Sequence, residues 1–139
     1  MGRDDLAIGA YNEDIGSIAN AGAVHVIYGS SEGLSATNVL ENQKWTQNSD
    51  NIQDSAENNN NFSMPLSSGD YNGDGCDDLA IGVVGEDINF ALDAGTVHII
   101  YGSTGGLSAT AVLIDQQWIQ GLNNLEDNAE FLDYFGWSF

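Results

Sequence analysis

Apolar and polar residues along the chain follow a period of two far more often than a helical one. Val24, Val26 and Tyr28 alternate with His25 and Ile27, and Val97, Ile99 and Tyr101 alternate with His98 and Ile100, the spacing of β-strands. Both faces of these segments are mostly apolar, as expected of strands covered on both sides. Residues 6–10 and 79–84 are short apolar runs, each entered from an Asp-Asp pair. Residues 39–45 and 112–119 are more mixed and predict outer strands. Residues 62–68 and 135–139 predict one further strand each. Gly29-Ser30-Ser31-Glu32-Gly33 and Gly102-Ser103-Thr104-Gly105-Gly106 are turn chemistry. The polar stretches 48–61 and 121–133 read as loops. No stretch combines helical caps with a 3.6-residue period.

This pattern is written twice. Residues 2–37 align without a gap on residues 75–110 at an offset of 73. Asp4-Asp5-Leu6-Ala7-Ile8-Gly9 is identical to Asp77-Asp78-Leu79-Ala80-Ile81-Gly82, and Gly33-Leu34-Ser35-Ala36-Thr37 to Gly106-Leu107-Ser108-Ala109-Thr110. Repeats of this length mark units that bury apolar surface by packing on their neighbours. Four short strands per period predict an all-β fold of β-propeller blades. Two four-stranded antiparallel blade equivalents are expected, permuted so that strands run two-three-four, one-two-three-four, one. Residues 1–61 then hold the first blade and its connecting loop, 62–133 the second blade, and 134–139 the first strand of a following blade. Two blades form an incomplete ring, and unpaired sheet edges recruit other chains. Flanking blades or homo-oligomer formation are therefore expected. The chain starts and stops in mid-pattern, as would a piece of a longer repeat protein or a designed chain.

The strongest chemical signal is the loop Asp70-Tyr71-Asn72-Gly73-Asp74-Gly75-Cys76-Asp77-Asp78. Oxygen-bearing side chains fall at 70, 72 and 74, then at 78, and a tightly curved loop turns alternate side chains inward. Three carboxylates and one amide make a hard oxygen set suited to Ca2+. Gly73 and Gly75 permit the left-handed backbone such a loop needs, and the Cys76 carbonyl stands where a backbone ligand is expected. Three acidic groups this close repel one another without a cation; the competing reading is an Asx-rich turn that binds nothing. The loop is not an EF-hand, which needs Glu at its twelfth position; here that position is Ile81, and the flanks read as strands.

Asp70-x-Asn72-x-Asp74-Gly75-x-x-Asp78, running into Leu79-Ala80-Ile81-Gly82, resembles the FG-GAP repeat of integrin α-subunit propellers and their bacterial relatives. Phe135-Gly136 supplies the Phe-Gly signature, and Gly9-Ala10 and Gly82-Val83 stand where Gly-Ala-Pro falls. The resemblance implies four-stranded blades with Ca2+ between the first and second strands, held by metal ligands Asp70, Asn72, Asp74, the Cys76 carbonyl and Asp78. It also implies an extracellular or cell-surface adhesion or recognition role, with ligand-facing loops at 11–21, 84–94, 48–61 and 121–133. Some positions depart from the family. Phe62-Ser63 stands where Phe-Gly is expected, and the Pro of Gly-Ala-Pro is replaced by Tyr11 and Val84. The first copy begins at Met1, the place of Asp74, so only Asp5 remains of its loop and no metal is expected there.

Composition narrows the partners. The 139 residues carry 21 acidic and 2 basic side chains, for a net charge of −19, which argues against nucleic acid and anionic membranes and fits cation partners, a solvated acidic surface or adaptation to salty surroundings equally. No apolar run is long enough to span a bilayer, no signal-peptide pattern stands at the start, and one cysteine excludes an intrachain disulfide. Gly29-x-Ser31-x-Gly33 matches a nucleophile-elbow pattern, but that motif needs a strand-to-helix turn and a His base; a hairpin is expected instead. His25 and His98 occupy equivalent strand positions and read as structural. The pairs Glu13-Asp14 and Glu86-Asp87 read as solvated turns, and Trp45 and Trp118 as packing of the outer strands. The resulting expectation is a binding module for a protein or glycan ligand with structural Ca2+, and not an enzyme. The alternative is an accessory or catalytic propeller domain of a secreted hydrolase, and a third reading is a purely structural or designed scaffold with no ligand.

Overall fold

The computed structural model describes residues 3–37, 40–110 and 113–139. Eight strands form two four-stranded antiparallel sheets, with no helix among the described residues. The first sheet holds β1 (Leu6–Ala10), β2 (Ala23–Ser30), β3 (Gly33–Ser35) and β4 (Gln43–Trp45). β1 pairs with β2 along its whole length, from Leu6 opposite Ile27 to Ala10 opposite Ala23. The other edge of β2 is shared: β3 takes its C-terminal end and β4 its N-terminal end, with Val24 opposite Trp45. The second sheet runs in order through β5 (Leu66–Gly69), β6 (Asp78–Val83), β7 (Thr96–Ile100) and β8 (Gln116–Trp118).

The sequence repeat is a structural repeat. Leu79 faces Ile100 as Leu6 faces Ile27, and Val97 faces Trp118 as Val24 faces Trp45. The β2–β3 hairpin is matched in the second copy by the single bridge between Tyr101 and Ser108. The Gly29–Gly33 turn is indeed a hairpin, its Ser30 hydroxyl donating to the Gly33 carbonyl at 2.6 Å.

Two strand expectations need correction. Residues 134–139 form no strand but a turn, and residues 62–68 become strand only from Leu66. The reason is where the amides go. Phe62 and Phe135 donate to the Ala21 and Ala94 carbonyls at 2.9 and 2.7 Å, docking the segment on the preceding blade instead of extending a sheet. The approach is tight enough to require glycine. A Cβ on Gly22 would lie 2.3 Å from the Phe62 carbonyl oxygen, and one on Gly95 2.4 Å from that of Phe135. At the 73-residue offset, residues 134–138 correspond to 61–65, the segment that precedes β5. The outer strands are also shorter than expected, three residues each; Val39 and Val112 lie outside the described residues.

The main core lies between the sheets. Val24, Val26, Tyr28 and Trp45 of the first sheet meet Leu79, Ile81, Val83 and Ile100 of the second, with Ile52 and Phe62 filling in. Each fully buried aliphatic contributes about 1.5–3 kcal/mol. On the far side of the second sheet, Ala80, Val97 and Ile99 pack with Tyr101, Trp118 and Phe135. β6 and β7 are thus covered on both faces and buried throughout, which explains their nearly continuous apolar runs.

Candidate functional site

The loop joining β5 to β6 is wound by its own side chains. Asp70 accepts the amides of Gly73 and Asp74 on one carboxylate oxygen, at 2.7 and 3.0 Å, and that of Gly75 on the other, at 3.0 Å. Asn72 Oδ1 accepts the Asp74 amide at 2.9 Å, and Asp74 accepts the Cys76 amide at 2.8 Å and Asn72 Nδ2 at 3.0 Å. Positions 70, 72 and 74 therefore all turn toward the backbone of one loop, as the alternation predicts. Gly73 and Gly75 adopt φ of 78° and 91°, the left-handed region that lets the chain curl. The hydrogen bonds from the Cys76 amide and Asn72 hold the Asp74 carboxyl below the usual carboxylate range. Burial, with the carboxylates of Asp74, Asp70 and Asp78, pushes the Cys76 thiol up, so this cysteine is not an activated nucleophile.

Asp78 has a different environment. It is 1% exposed, and its two oxygens accept the Tyr71 amide at 2.9 Å and the Gly102 amide at 2.8 Å. It ties the loop and the end of β7 to β6. Asp5 does the same in the first copy, accepting the Gly29 amide at 2.8 Å. A cleft of about 540 Å³ opens beside the loop between the sheets, lined by Asp5, Tyr28, Cys76, Asp77, Asp78 and Leu107 among others.

The donor set offered to a metal is all oxygen: carboxylates at 70, 74 and 78, the Asn72 amide and the Cys76 carbonyl. That chemistry fits Ca2+, and the side chains of 70, 72 and 74 are exposed to solvent. Among the described residues, no three or more His, Cys, Asp or Glu side chains stand together as a metal cage. The carboxylates instead accept backbone amides, the partners that wind the loop.

The other candidates divide. His98 is fully buried and pairs through Nδ1 with the equally buried Asp115, which in turn accepts the Gln53 amide at 2.6 Å. It is a structural histidine, as expected. Glu13 fits the solvated-turn reading, being half-exposed and paired with Lys44 at 3.1 Å. Glu86 does not. It is 2% exposed and accepts Gln47 Nε2 at 2.6 Å and Asn60 Nδ2 at 2.8 Å. Burial, reinforced by the Asp54 and Glu57 carboxylates and opposed by the Gln47 hydrogen bond, raises its pKa to about 8. This buried network between the copies was not legible from either copy alone, because Gln47 and Asn60 come from the connecting segment.

The fold and loop define an all-β blade module, two four-stranded antiparallel sheets with an acidic turn leading into a buried strand. Residues 66–100, spanning β5 to β7 and the whole loop, match the family model of the FG-GAP repeat. The chain contains an FG-GAP repeat, and such repeats form propeller blades. A search of the curated proteins found no match to the chain. No helix among the described residues is long and apolar enough to cross a membrane.

Proposed function

We propose that this chain is a Ca2+-stabilised recognition module that works outside the cell or at its surface, binding a protein or glycan ligand. The observation that carries this reading is the Asp70–Asp78 loop inside the FG-GAP repeat, where every available donor is a hard oxygen. Asp70, Asn72, Asp74, the Cys76 carbonyl and Asp78 would hold the ion. Its contribution would be charge neutralisation at the turn that begins the blade, which couples metal affinity to folding. The chain's own residues already prepare that turn. Asp70 fixes its curvature through three amides, and Asp78 anchors it to β7.

Binding rather than catalysis is supported by the chemistry left over. The His98–Asp115 pair is sealed from solvent, and the Ser31 pattern is a hairpin turn. A non-repeating carboxylate or histidine cluster that turned over substrate would favour the hydrolase-domain alternative, and an activity screen on glycans and phosphodiesters tests it. Calorimetric melting tests the calcium reading. Ca2+ at about a hundredfold excess over Kd should raise Tm by roughly 5–10 °C relative to chelator. Asp74→Ala should remove most of that rise. Equal melting in Ca2+ and chelator would show that the loop stands without the ion.

A further inference from the structure

Four apolar side chains interrupt the repeat on one cluster of loops. Phe90 is 101% exposed, Leu92 50%, Phe131 64% and Leu132 42%. Ile88 and Ala91 exchange backbone hydrogen bonds, both at 3.0 Å, which puts Phe90 at the tip of a tight turn. The Leu132 amide donates to the Leu92 carbonyl at 3.0 Å, so residues 131–132 lie beside residues 90–92. The same frame exists in the first copy, where the Asn59 amide donates to the Ala19 carbonyl at 2.9 Å. There the four corresponding positions are Ser17, Ala19, Asn58 and Asn59.

Those four positions stay exposed although the second sheet packs against the first. A further blade packed on the second sheet in the same way would likewise leave Phe90, Leu92, Phe131 and Leu132 in water. Leu6 and Ile8 differ in this respect. They are 43% and 42% exposed, but their counterparts Leu79 and Ile81 are 4% and 0% exposed, covered by the neighbouring sheet. Blade stacking accounts for Leu6 and Ile8 and does not account for the loop patch. Large apolar side chains exposed together on adjoining loops mark interaction sites.

The rim is acidic. Asp87, Glu130 and Asp133 are exposed and Asp93 partly so. Asp87 is held by accepting the Asp93 amide at 2.8 Å, and Asp133 by accepting that of Glu130 at 2.8 Å. The chain's two cations are Arg3 and Lys44, and Lys44 is engaged with Glu13. The carboxylates disfavour anionic lipid and attract cationic side chains. We propose that this patch docks a basic polypeptide segment, one that seats apolar side chains on Phe90, Leu92, Phe131 and Leu132 while its Lys or Arg residues meet Asp87, Asp93, Glu130 and Asp133. This rests on reading these loops as the recognition face and gives that face its partner chemistry.

The test uses the whole chain and three labelled synthetic peptides, read by fluorescence anisotropy. One alternates Lys with Leu and Phe, the second replaces Lys by Glu, and the third replaces the apolar residues by Ser. The first should bind, more weakly as salt rises, and the other two at least about tenfold more weakly. The double variant Phe90→Ser with Phe131→Asn installs the residues of the other copy, which the same backbone frame already accommodates. It should lose the first peptide by at least about tenfold while keeping its melting temperature and calcium response. Should that variant misfold, Leu132→Asn alone carries the same test. Equal binding by the variant, or equal binding of the Glu peptide, would overturn the proposal. So would binding of uncharged phosphatidylcholine vesicles in place of the Lys peptide. A parent chain that discriminates the peptides but melts identically with and without Ca2+ would remove the calcium reading and leave this one standing.

Discussion

Ser63 shows what one side chain changes in a repeat. Its counterpart is Gly136, which takes φ of 87°; Ser63 is held at φ 116°, a region that favours glycine. Its hydroxyl is also buried with no partner. The departure at Phe62-Ser63 was visible in the sequence as a broken Phe-Gly signature, but the strain was not, because it depends on how the segment docks beside Gly9. Ser63→Gly should therefore stabilise the chain by about 1–2 kcal/mol, measured as an increase in the urea midpoint with an unchanged slope. Glu86 shows the opposite kind of hidden feature. Its identity with Glu13 predicts the same solvated turn, yet the buried amides of Gln47 and Asn60 give it a different environment. Its folded pKa is raised to about 8, above the unfolded value, so its contribution is fully present below about pH 4.5 and is lost as pH rises toward 8. Stability should fall across that window. Glu86→Gln keeps an acceptor for both amides and should flatten the slope, leaving the variant more stable than the parent at pH 8. A variant with the parent's slope would mean that another group titrates.

The strands were the most legible elements, because a period of two and a duplicated register leave little freedom. β1, β2, β6 and β7 lie within a residue or two of the apolar runs that predict them. The ends were less legible. β4 and β8 are short because only three residues of each pair with the neighbouring strand, and the surrounding mixed sequence gives no boundary. Residues 134–139 have a strand-like composition, but the Tyr134 and Phe135 amides are taken by the Asp93 and Ala94 carbonyls. In the loop, the alternation at 70, 72 and 74 was legible, and so was the need for glycine at 73 and 75. The bracing role of Asp78 was not, since Gly102 is distant in sequence; it becomes visible only because Asp5 and Gly29 repeat it. The exposed patch of Phe90, Leu92, Phe131 and Leu132 had a signal too, namely the positions where apolar residues replace Ser, Ala and Asn between the copies.

For the molecule as a whole, the two sheets show how one blade covers another. Tyr28 from the first sheet accepts the amide of Leu107, in the segment between β7 and β8, at 2.9 Å, and Gln43 Nε2 donates to the Leu107 carbonyl at 2.9 Å, clamping the junction beside its apolar core. Leu6 and Ile8 present the face that Leu79 and Ile81 use at that junction. The Gln120 side-chain oxygen is buried without a partner, at the place where Gln47 joins the Glu86 network. A second copy stacking head to tail would bring these surfaces together. Light scattering should accordingly give a mass that rises above 14.8 kDa with concentration, and Ile8→Glu should hold the chain at the monomer mass. A parent chain that stays monomeric at all concentrations would show that these surfaces do not pair between copies.

The Asp70–Asp78 loop is the place proposed for one calcium ion. Titration calorimetry with Ca2+ measures this directly. Saturation is expected at one ion per chain for the parent, with no binding for Asp74→Ala and a stoichiometry still of one for Asp5→Asn. Absence of heat in the parent, or a stoichiometry untouched by Asp74→Ala, would contradict it.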